Sequence, residues 1–315
     1  MLTRNQFEAL LGERGALVID GALATELENR GHNLNHALWS AKVLKDNPDS
    51  ISEVHKDYYL AGADIAITAS YQASTRGLHD HFHMNEADAI KLIKDSVKVA
   101  QQARDDAYLQ GVASERKLLV AGSVGPYGAY LADGSEYRGN YHRTKTEFQT
   151  FHRPRIQALV DANVDLLAIE TMPKLAEITA VLELLRYEFP MAVAWLSCTL
   201  RNSRHISDGT SVKDLLKHVG NYRDQVVAVG VNCVPNGLIL ETLQWMKEYT
   251  TLPLLCYPNS GEAWNAETKT WSGVTAQSGP LAQQIRSWRT TGARLIGGCC
   301  RTGPDYIKVV SRAIR

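Results

Sequence analysis

The sequence lacks an excess of charge of either sign, and it lacks any long apolar run. Its 34 lysines and arginines are balanced by 34 aspartates and glutamates, and the two signs are interspersed. A chain without a basic face gives no electrostatic footprint for nucleic acid or for an acidic membrane surface. No apolar stretch approaches the ~20 residues that a membrane-spanning helix needs. Composition therefore argues against nucleic-acid and membrane partners, and nothing in it indicates an oligomeric state.

Cysteine is scarce, with five in 315 residues. The opening stretch MLTRNQFEALLGERG has no long apolar segment of the kind found in secretory signal peptides, which favours a cytoplasmic protein. In that compartment cysteines are more often free, metal-bound or catalytic than paired in disulfides. Two of the five, Cys299 and Cys300, are adjacent, which makes them candidates for one of these roles.

Eight short, near-continuously apolar runs recur along the chain, as expected for parallel strands buried on both faces. They are Leu17–Asp20, Ala63–Ser70, Leu118–Gly125, Val164–Thr171, Ala192–Thr199, Val226–Cys233, Leu252–Asn259 and Ala293–Cys300. Segments with apolar residues at helical spacing lie between or after them. These are Asn85–Leu109, Phe148–Ala162, Leu175–Tyr187, Val212–Val219, Leu238–Tyr249, Leu281–Thr291 and Pro304–Ile314.

This alternation of strands and helices predicts a (β/α)8 TIM barrel that forms a single domain over residues 1–315. An open doubly wound sheet shares the alternation, but no G-x-G-x-x-G follows the first run. Glycine or asparagine is expected to end a helix just before three of the strands, at Gly62, Asn163 and Gly292. In a TIM barrel the residues that end the strands form the active site.

Three cysteines fall at predicted strand ends, Cys233 at the sixth and Cys299 and Cys300 at the eighth. Because neighbouring residues of a regular strand point to opposite faces, Gly297 and Gly298 are expected to let the backbone bend and present both sulfurs to the barrel mouth. Three thiolates suit tetrahedral zinc and leave a fourth position for a substrate. Two alternatives stay open: buried cysteines that act as small apolar side chains, and a vicinal disulfide.

Longer motifs around these strand ends resemble the homocysteine S-methyltransferase family. The resemblance rests on VNC (Val231–Cys233), GGCCRTGP (Gly297–Pro304), DGALATEL (Asp20–Leu27) and ITASYQAS (Ile67–Ser74), and it covers nearly the whole chain. The segment AGSVGPYGAYLADGSEYRGNY (Ala121–Tyr141) resembles the branch that uses S-methylmethionine or S-adenosylmethionine rather than betaine. The resemblance implies a Zn²⁺-dependent enzyme that transfers a methyl group from a sulfonium donor to homocysteine and forms methionine.

The resemblance also implies roles for individual residues. Cys233, Cys299 and Cys300 would bind the zinc and thereby activate the homocysteine sulfur. Glu170 would hold the homocysteine ammonium group, with Asp20 as a second candidate that could instead cap the short helix after it. The other predicted substrate contacts are the backbone of Gly21 and Ala22, the hydroxyls of Thr68 or Ser70, the side chain of Tyr71, and Asn232 next to the metal.

Four tyrosines crowd the segment after the third strand: Tyr127, Tyr130, Tyr137 and Tyr141. An aromatic face attracts a cation, so these residues are predicted to bind the sulfonium donor. The alternative is an ordinary loop that is packed by its own tyrosines. Trp264 and Trp271, after the seventh strand, are expected either to cover the site or to pack at its rim.

Rival functions stay open on the residues alone. A zinc hydrolase would place water in the fourth metal position, but three thiolates leave a net negative site that works against acidifying water. A structural zinc site would be closed by four protein ligands. A third variant keeps the enzyme and changes the acceptor to selenocysteine or another thiol.

Overall fold

Eight parallel strands line a barrel in the computed structural model, which describes residues 1–261, 263–265, 270–272 and 278–315. We number these barrel strands β1 to β8 in chain order. They span Leu17–Val18, Ile65–Ile67, Leu119–Val124, Leu166–Met172, Ala194–Cys198, Val226–Asn232, Leu254–Tyr257 and Ala293–Ile296. Each overlaps one of the eight apolar runs predicted from the sequence.

The barrel strands are ordered β1-β8-β7-β6-β5-β4-β3-β2, and every neighbouring pair is parallel. The two end strands of this order meet through the parallel bridge between Ile19 and Ile65. Beside it the Asp20 N–H donates to the Ile65 carbonyl at 3.0 Å. The sheet therefore closes on itself, and the predicted TIM barrel is confirmed over the open doubly wound sheet.

Helices connect the strands and pack on the outside of the barrel. The α-helices of the described residues span Arg4–Arg14, Leu23–Asn29, Ser40–Asp46, Pro48–Ala61, Thr75–Phe82, Glu86–Leu109, Tyr127–Leu131, Lys145–Asp161, Leu175–Glu188, Val212–Val219, Ile239–Lys247, Ser278–Thr291 and Pro304–Ile314. Each predicted helical segment overlaps one of them. Among the residues with described placement, no helix has the length and apolar character to cross a membrane.

Three helix-to-strand turns follow the predicted pattern. Gly62 has φ 115°, Gly292 has φ 125° and Asn163 has φ 59°. A left-handed residue at the end of a helix redirects the chain and lets the last carbonyls find donors, and glycine and asparagine adopt this conformation at least cost. These turns return the chain to the start of β2, β4 and β8.

Alternating side chains divide the strand residues between two apolar cores. Leu17 and Ile19 point into the barrel, whereas Val18 packs outward among the helices, because successive strand side chains face opposite sides. Trp195 and Tyr257 are large interior side chains, exposed by no more than 1%. The barrel is therefore a packed core rather than a pore, as is usual for this fold.

The first helix closes the N-terminal end of the barrel. Phe7, Leu10 and Leu11 of Arg4–Arg14 join the interior cluster. The Leu2 N–H donates to the carbonyl of Asp165 at 2.8 Å, and the guanidinium of Arg4 donates to the carbonyl of Val226 at 3.2 Å. These two carbonyls lie where β4 and β6 begin. The C-terminal ends of the strands form the opposite mouth of the barrel.

Candidate metal centre and active site

Three cysteine thiols meet at the C-terminal mouth of the barrel. The sulfur atoms of Cys233, Cys299 and Cys300 all lie within 4.8 Å of one another, and those of Cys233 and Cys300 are 3.5 Å apart. Among the described residues this is the one group of three or more histidine, cysteine or acidic side chains arranged closely enough for a metal. Sulfurs on a tetrahedral zinc are roughly 3.8 Å apart, since the Zn–S distance is ~2.3 Å. The cluster therefore fits one such ion.

Tight backbone packing after β8 brings both adjacent cysteines to the mouth. A Cβ on Gly298 would lie 2.2 Å from the Thr302 hydroxyl oxygen, and one on Gly297 would lie 2.7 Å from the Ile19 carbonyl oxygen. The Cys299 N–H donates to the Pro258 carbonyl at 2.7 Å. Because these glycines have no side chain, the backbone can pack closely against the residue after β1 and against the following turn. The expected backbone bend lies beyond the end of β8.

Hydrogen bonds among the three thiols shift their pKa values. Hydrogen bonds from Cys299 and then from Cys300 hold the pKa of the Cys233 thiol well below its usual range. The pKa values of Cys299 and Cys300 are raised, chiefly because each shares its proton with the Cys233 sulfur. Cys233 itself adopts φ 53°, which turns its side chain out of the line of β6. A divalent cation here would replace the shared protons as the partner of the sulfurs.

Glu170 lies near the C-terminal end of β4 as a buried carboxyl group. It accepts hydrogen bonds from the hydroxyl of Ser123 at 2.5 Å and from the hydroxyl of Tyr257 at 3.1 Å. Burial raises its pKa to about 7, and these two hydrogen bonds only partly oppose the shift. Because a buried carboxylate is costly without a positive partner, Glu170 is suited to receive a cationic group of a ligand.

Asp20 is a second buried carboxyl at the mouth. It accepts the Ile67 N–H at 2.9 Å, so it ties the end of β1 to β2 and does not cap the following helix. Burial, with a further contribution from Glu170, raises its pKa well above the ordinary value. The ring of His55 lies 4.0 Å away, wholly buried and with neither nitrogen hydrogen-bonded among the described residues. Burial lowers the His55 pKa to about 4.

Several predicted substrate contacts are already engaged within the protein. The Thr68 and Ser70 hydroxyls are 2.7 Å apart, and both hydrogen-bond the backbone of Ser123. The Ala22 N–H donates to the Thr302 carbonyl at 2.9 Å, so it is not free to bind a ligand carboxylate. Gly21 lies against that same carbonyl, which a Cβ would approach to 2.6 Å.

Asn232 braces the site from β6. Its side-chain oxygen accepts the Thr171 N–H and its side-chain nitrogen donates to the Thr171 hydroxyl, each at 2.8 Å. Thr171 has φ 60°, an uncommon conformation for a β-branched residue. The Asn232 amide is thus occupied with holding the end of β4, the strand that carries Glu170, whereas the sequence suggested a role at the metal.

The segment after β3 brings Tyr137 into contact with a thiol and places Glu136 next to it in the chain. The Tyr137 hydroxyl lies 3.3 Å from the Cys233 sulfur. Glu136 is 7% exposed, and its Oε2 has no hydrogen-bond partner among the described residues. Burial, and then the neighbouring Cys233, raises the pKa of Glu136 to about 7. The ring of Tyr71 packs on Gly125, and burial beside Glu136 raises its hydroxyl pKa.

The other three tyrosines belong to an aromatic cluster with Phe148 and Phe151. Their hydroxyls bond to protein groups: Tyr127 accepts from Arg143, Tyr130 donates to Asp80, and Tyr141 donates to Glu177. The sequence predicts that Tyr127, Tyr130 and Tyr141 contact the donor. In the structure these three tyrosines pack within their own segment. Of the four tyrosines, Tyr137 alone hydrogen-bonds to a thiol of the cluster. The side chains of Trp264 and Trp271 lie outside the described residues.

Sequence reasoning missed a buried support behind these loops. Arg155 is 1% exposed and donates to the carbonyls of Tyr71 and Gly125, at 2.7 Å and 2.5 Å. His152 joins Arg155 to Glu177. Arg155 and His152 occupy the apolar face of the predicted helix, and a charged residue on such a face could have revealed the network.

Comparison with known proteins places this geometry in a family. The family model for homocysteine S-methyltransferase matches residues 17–314. A homocysteine S-methyltransferase of Escherichia coli (strain K12) is 53% identical and covers 98% of both chains. A selenocysteine methyltransferase of Astragalus bisulcatus is 41% identical over 95% of this chain and 92% of its own.

A solved structure agrees with these sequence relationships. It is the E. coli homocysteine methyltransferase MmuM in its metallated form, with a TM-score of 0.88, 50% identity, and coverage of 97% of this chain and 99% of that one. The resemblance seen in the strand-end motifs is thereby confirmed. The protein is a methyltransferase enzyme that takes homocysteine and a methyl donor as substrates. The chain belongs to the homocysteine S-methyltransferase family.

Proposed function

We propose that this enzyme methylates homocysteine from a sulfonium donor, S-methylmethionine or S-adenosylmethionine, and that Cys233, Cys299 and Cys300 hold a zinc ion for this reaction. The single observation that carries the proposal is the close approach of the three thiols at the barrel mouth. Zinc binds thiolates in tetrahedral geometry, and three protein ligands leave its fourth position open to a substrate. Bound there, it would supply the charge that keeps an incoming thiol ionised at neutral pH.

Glu170 and Asp20 would bind the ammonium group of homocysteine. Both carboxyls are buried, and an approaching cation would offset the cost of ionising them. The hydrogen bonds from Ser123 and Tyr257 orient Glu170, and the Ile67 N–H orients Asp20. Two oriented carboxyls, one after β1 and one on β4, would place the acceptor in a fixed position beside the thiols, which lowers the entropic part of the barrier.

Glu136, Tyr137 and Tyr71 would surround the positive donor. Aromatic faces and a buried carboxylate both attract a cation more strongly than water-exposed groups do. The reaction forms a bond between the acceptor sulfur and the methyl carbon while the bond from that carbon to the donor sulfur breaks. The leaving sulfide departs neutral, so no side chain has to donate a proton to it. The main task of these residues is therefore alignment.

The proposal is tested by measuring zinc content and methionine formation from homocysteine and S-methylmethionine. We expect the wild type to hold about one zinc and to form methionine, and Cys233→Ala to lose both, because two thiolates bind zinc far more weakly than three. Cys256→Ala is the matched control, since Cys256 is a buried thiol that packs in the outer core. Retained metal and activity in Cys233→Ala would sink the proposal.

Further assays on the same preparations separate the rival functions. Hydrolysis of esters or amides without methyl transfer would favour a zinc hydrolase. Zinc that is bound without either activity would favour a structural site. Selenocysteine should be offered as a second acceptor, because one relative is named for that substrate. Faster methylation of selenocysteine than of homocysteine would shift the acceptor and leave the metal site in place.

A further inference from the structure

A cavity of about 540 Å³ lies beside the thiol cluster, over the ends of β3, β4 and β5. Its lining includes Tyr137, Arg138, Lys174, Arg201 and Asp208. The volume falls within the ~300–1,000 Å³ typical of small-molecule sites. The function proposed above uses Tyr137 but assigns no role to the rest of this cavity.

The cavity is positively charged. Three cations line it, and Asp208 is the one carboxylate among the lining residues. Both oxygens of Asp208 already accept backbone N–H groups, from Leu175 at 2.9 Å and from Thr210 at 2.8 Å. Within the described part of the chain no carboxylate forms an ion pair with Lys174 or Arg201. An anionic ligand group is therefore what this surface would attract.

Hydrogen bonds between the loops hold the cavity walls in place. The Lys174 ammonium group donates to the Gly139 carbonyl at 3.2 Å. The Asp208 N–H donates to the Pro173 carbonyl at 2.9 Å, and the Thr199 hydroxyl donates to the Glu136 carbonyl at 3.0 Å. The segments after β3, β4 and β5 are thus joined to one another, which favours a preformed site over a chance gap between loops.

Tyr137 is the partition between the cavity and the metal centre. It lines the cavity, and its hydroxyl contacts the Cys233 sulfur at 3.3 Å. In a sulfonium derived from methionine, four bonds separate the sulfur from the carboxylate carbon, a distance of roughly 5 Å from standard bond lengths. A donor whose methyl group faces the thiols extends about that far from them, and the shared residue Tyr137 makes this cavity the adjoining space for its amino-acid end.

We propose that this cavity binds the α-carboxylate of the methyl donor, with Lys174 and Arg201 as its main partners and Arg138 at the rim. The inference rests on the proposed function, because it takes the donor to be a sulfonium amino acid. It assigns one charged group of each amino-acid substrate to a different side of the mouth. The homocysteine ammonium group meets the acidic side of the mouth at Glu170 and Asp20, and the donor carboxylate meets the basic side.

The test uses two donors that carry the same sulfonium, S-methylmethionine and its α-carboxamide, with Arg201→Gln and Lys174→Gln in the full-length enzyme. We expect each variant to raise the KM for S-methylmethionine at least about tenfold, as the loss of a charge-assisted hydrogen bond does. The kcat and the KM for homocysteine should stay near the wild-type values. The carboxamide should be the poorer donor for the wild type, and neither variant should weaken it further.

Arg204→Gln is the matched control, because Arg204 lies nearby but faces Glu241 and Trp245 outside the cavity. Equal losses with both donors, an unchanged KM for S-methylmethionine, or a rise in the homocysteine KM instead would each overturn the inference. If the wild type accepts neither sulfonium, the proposed function itself is wrong. If the wild type accepts both donors equally well, only the inference of a carboxylate site is wrong.

Discussion

Three buried carboxyls lie at the mouth that carries the thiol cluster, and each has a raised pKa. Asp20, Glu136 and Glu170 are all less than 8% exposed, and burial is the largest cause of the shift in each. A protein gains nothing in stability from such groups, since the ionised form loses its water and, among the described residues, finds no lysine or arginine ion pair. Their clustering at one mouth is best explained by ligands that bring positive charge.

In the absence of ligands, Glu170→Gln should make the folded chain more stable at alkaline pH. It should also weaken homocysteine binding. The folded pKa of Glu170, about 7, lies above the ordinary 4.5. The wild-type carboxyl therefore favours the folded state at low pH, and this contribution is lost as the pH rises through 7. Glutamine does not titrate. The melting temperature of the variant, measured without substrate, should rise relative to that of the wild type across neutral pH.

A surface carboxyl provides the control for this titration. Glu188 is half-exposed and its pKa is lowered by Arg153, so Glu188→Gln should show no such relative gain above neutral pH. In the same preparations, the KM for homocysteine should rise at least about tenfold in Glu170→Gln, as expected when a charged hydrogen bond is lost. A melting difference that is flat between acid and alkaline pH would contradict the assignment.

At the scale of elements, the site depends on how loops are braced against strands. The helix Lys145–Asp161 sends Arg155 to the carbonyls of Tyr71 and Gly125, which follow β2 and β3. Asn232 of β6 holds Thr171 at the end of β4. These contacts join four strand ends that a barrel alone would leave independent. A rigid supporting shell of this kind is what keeps reacting groups aligned.

The turn after β8 supplies the prediction at this scale. Gly298→Ala should lower zinc content, because its new Cβ would lie 2.2 Å from the Thr302 hydroxyl oxygen and must displace the turn that carries Cys299 and Cys300. Metal analysis of the purified variant measures the loss. Gly237→Ala is the control, since a Cβ there meets no atom within 4 Å. Full zinc occupancy in Gly298→Ala would show that the turn tolerates the shift.

Across the whole molecule, stability and chemistry are assigned to opposite ends of the barrel. The N-terminal end is closed by the helix Arg4–Arg14, whose apolar side chains join the interior core. The C-terminal mouth carries the thiols and the buried carboxyls. Uncompensated charge at the mouth reduces stability, and apolar packing elsewhere has to offset it. TIM barrels in general separate their functions in this way.

Phe7→Ala tests that separation. Phe7 is fully buried in the interior cluster, and removal of such a side chain costs about 3–5 kcal/mol of unfolding free energy. Urea denaturation measures this loss. The folded variant should keep the wild-type zinc content and KM values, because Phe7 lies at the far end from the thiols. Met191→Ala, at a residue that is 76% exposed, should leave the unfolding free energy nearly unchanged. A large change in KM for Phe7→Ala would refute the separation.

The strand and helix pattern, the closed barrel and the three thiols were all predictable from the sequence. Buried parallel strands are apolar on both faces, and this local property shows in the chain whatever the tertiary structure. The cysteines at the ends of the sixth and eighth runs were brought together once those runs became the two strands that flank β7, because all three strands end at the same mouth of the barrel. The position of Glu170 at the mouth was predictable for the same reason, since it lies near the end of the fourth apolar run.

The tertiary structure alone decided which polar groups are free. Tyr127, Tyr130, Tyr137 and Tyr141 look equivalent in the sequence, yet only Tyr137 contacts a thiol while the other three bond elsewhere. The same holds for the Ala22 N–H, for Asn232, and for the Glu136 oxygen that has no hydrogen-bond partner in the described part of the chain. The partner of a hydrogen-bonding group is set by what lies within about 3 Å of it. That distance depends on packing between segments far apart in the chain, which local sequence patterns do not encode.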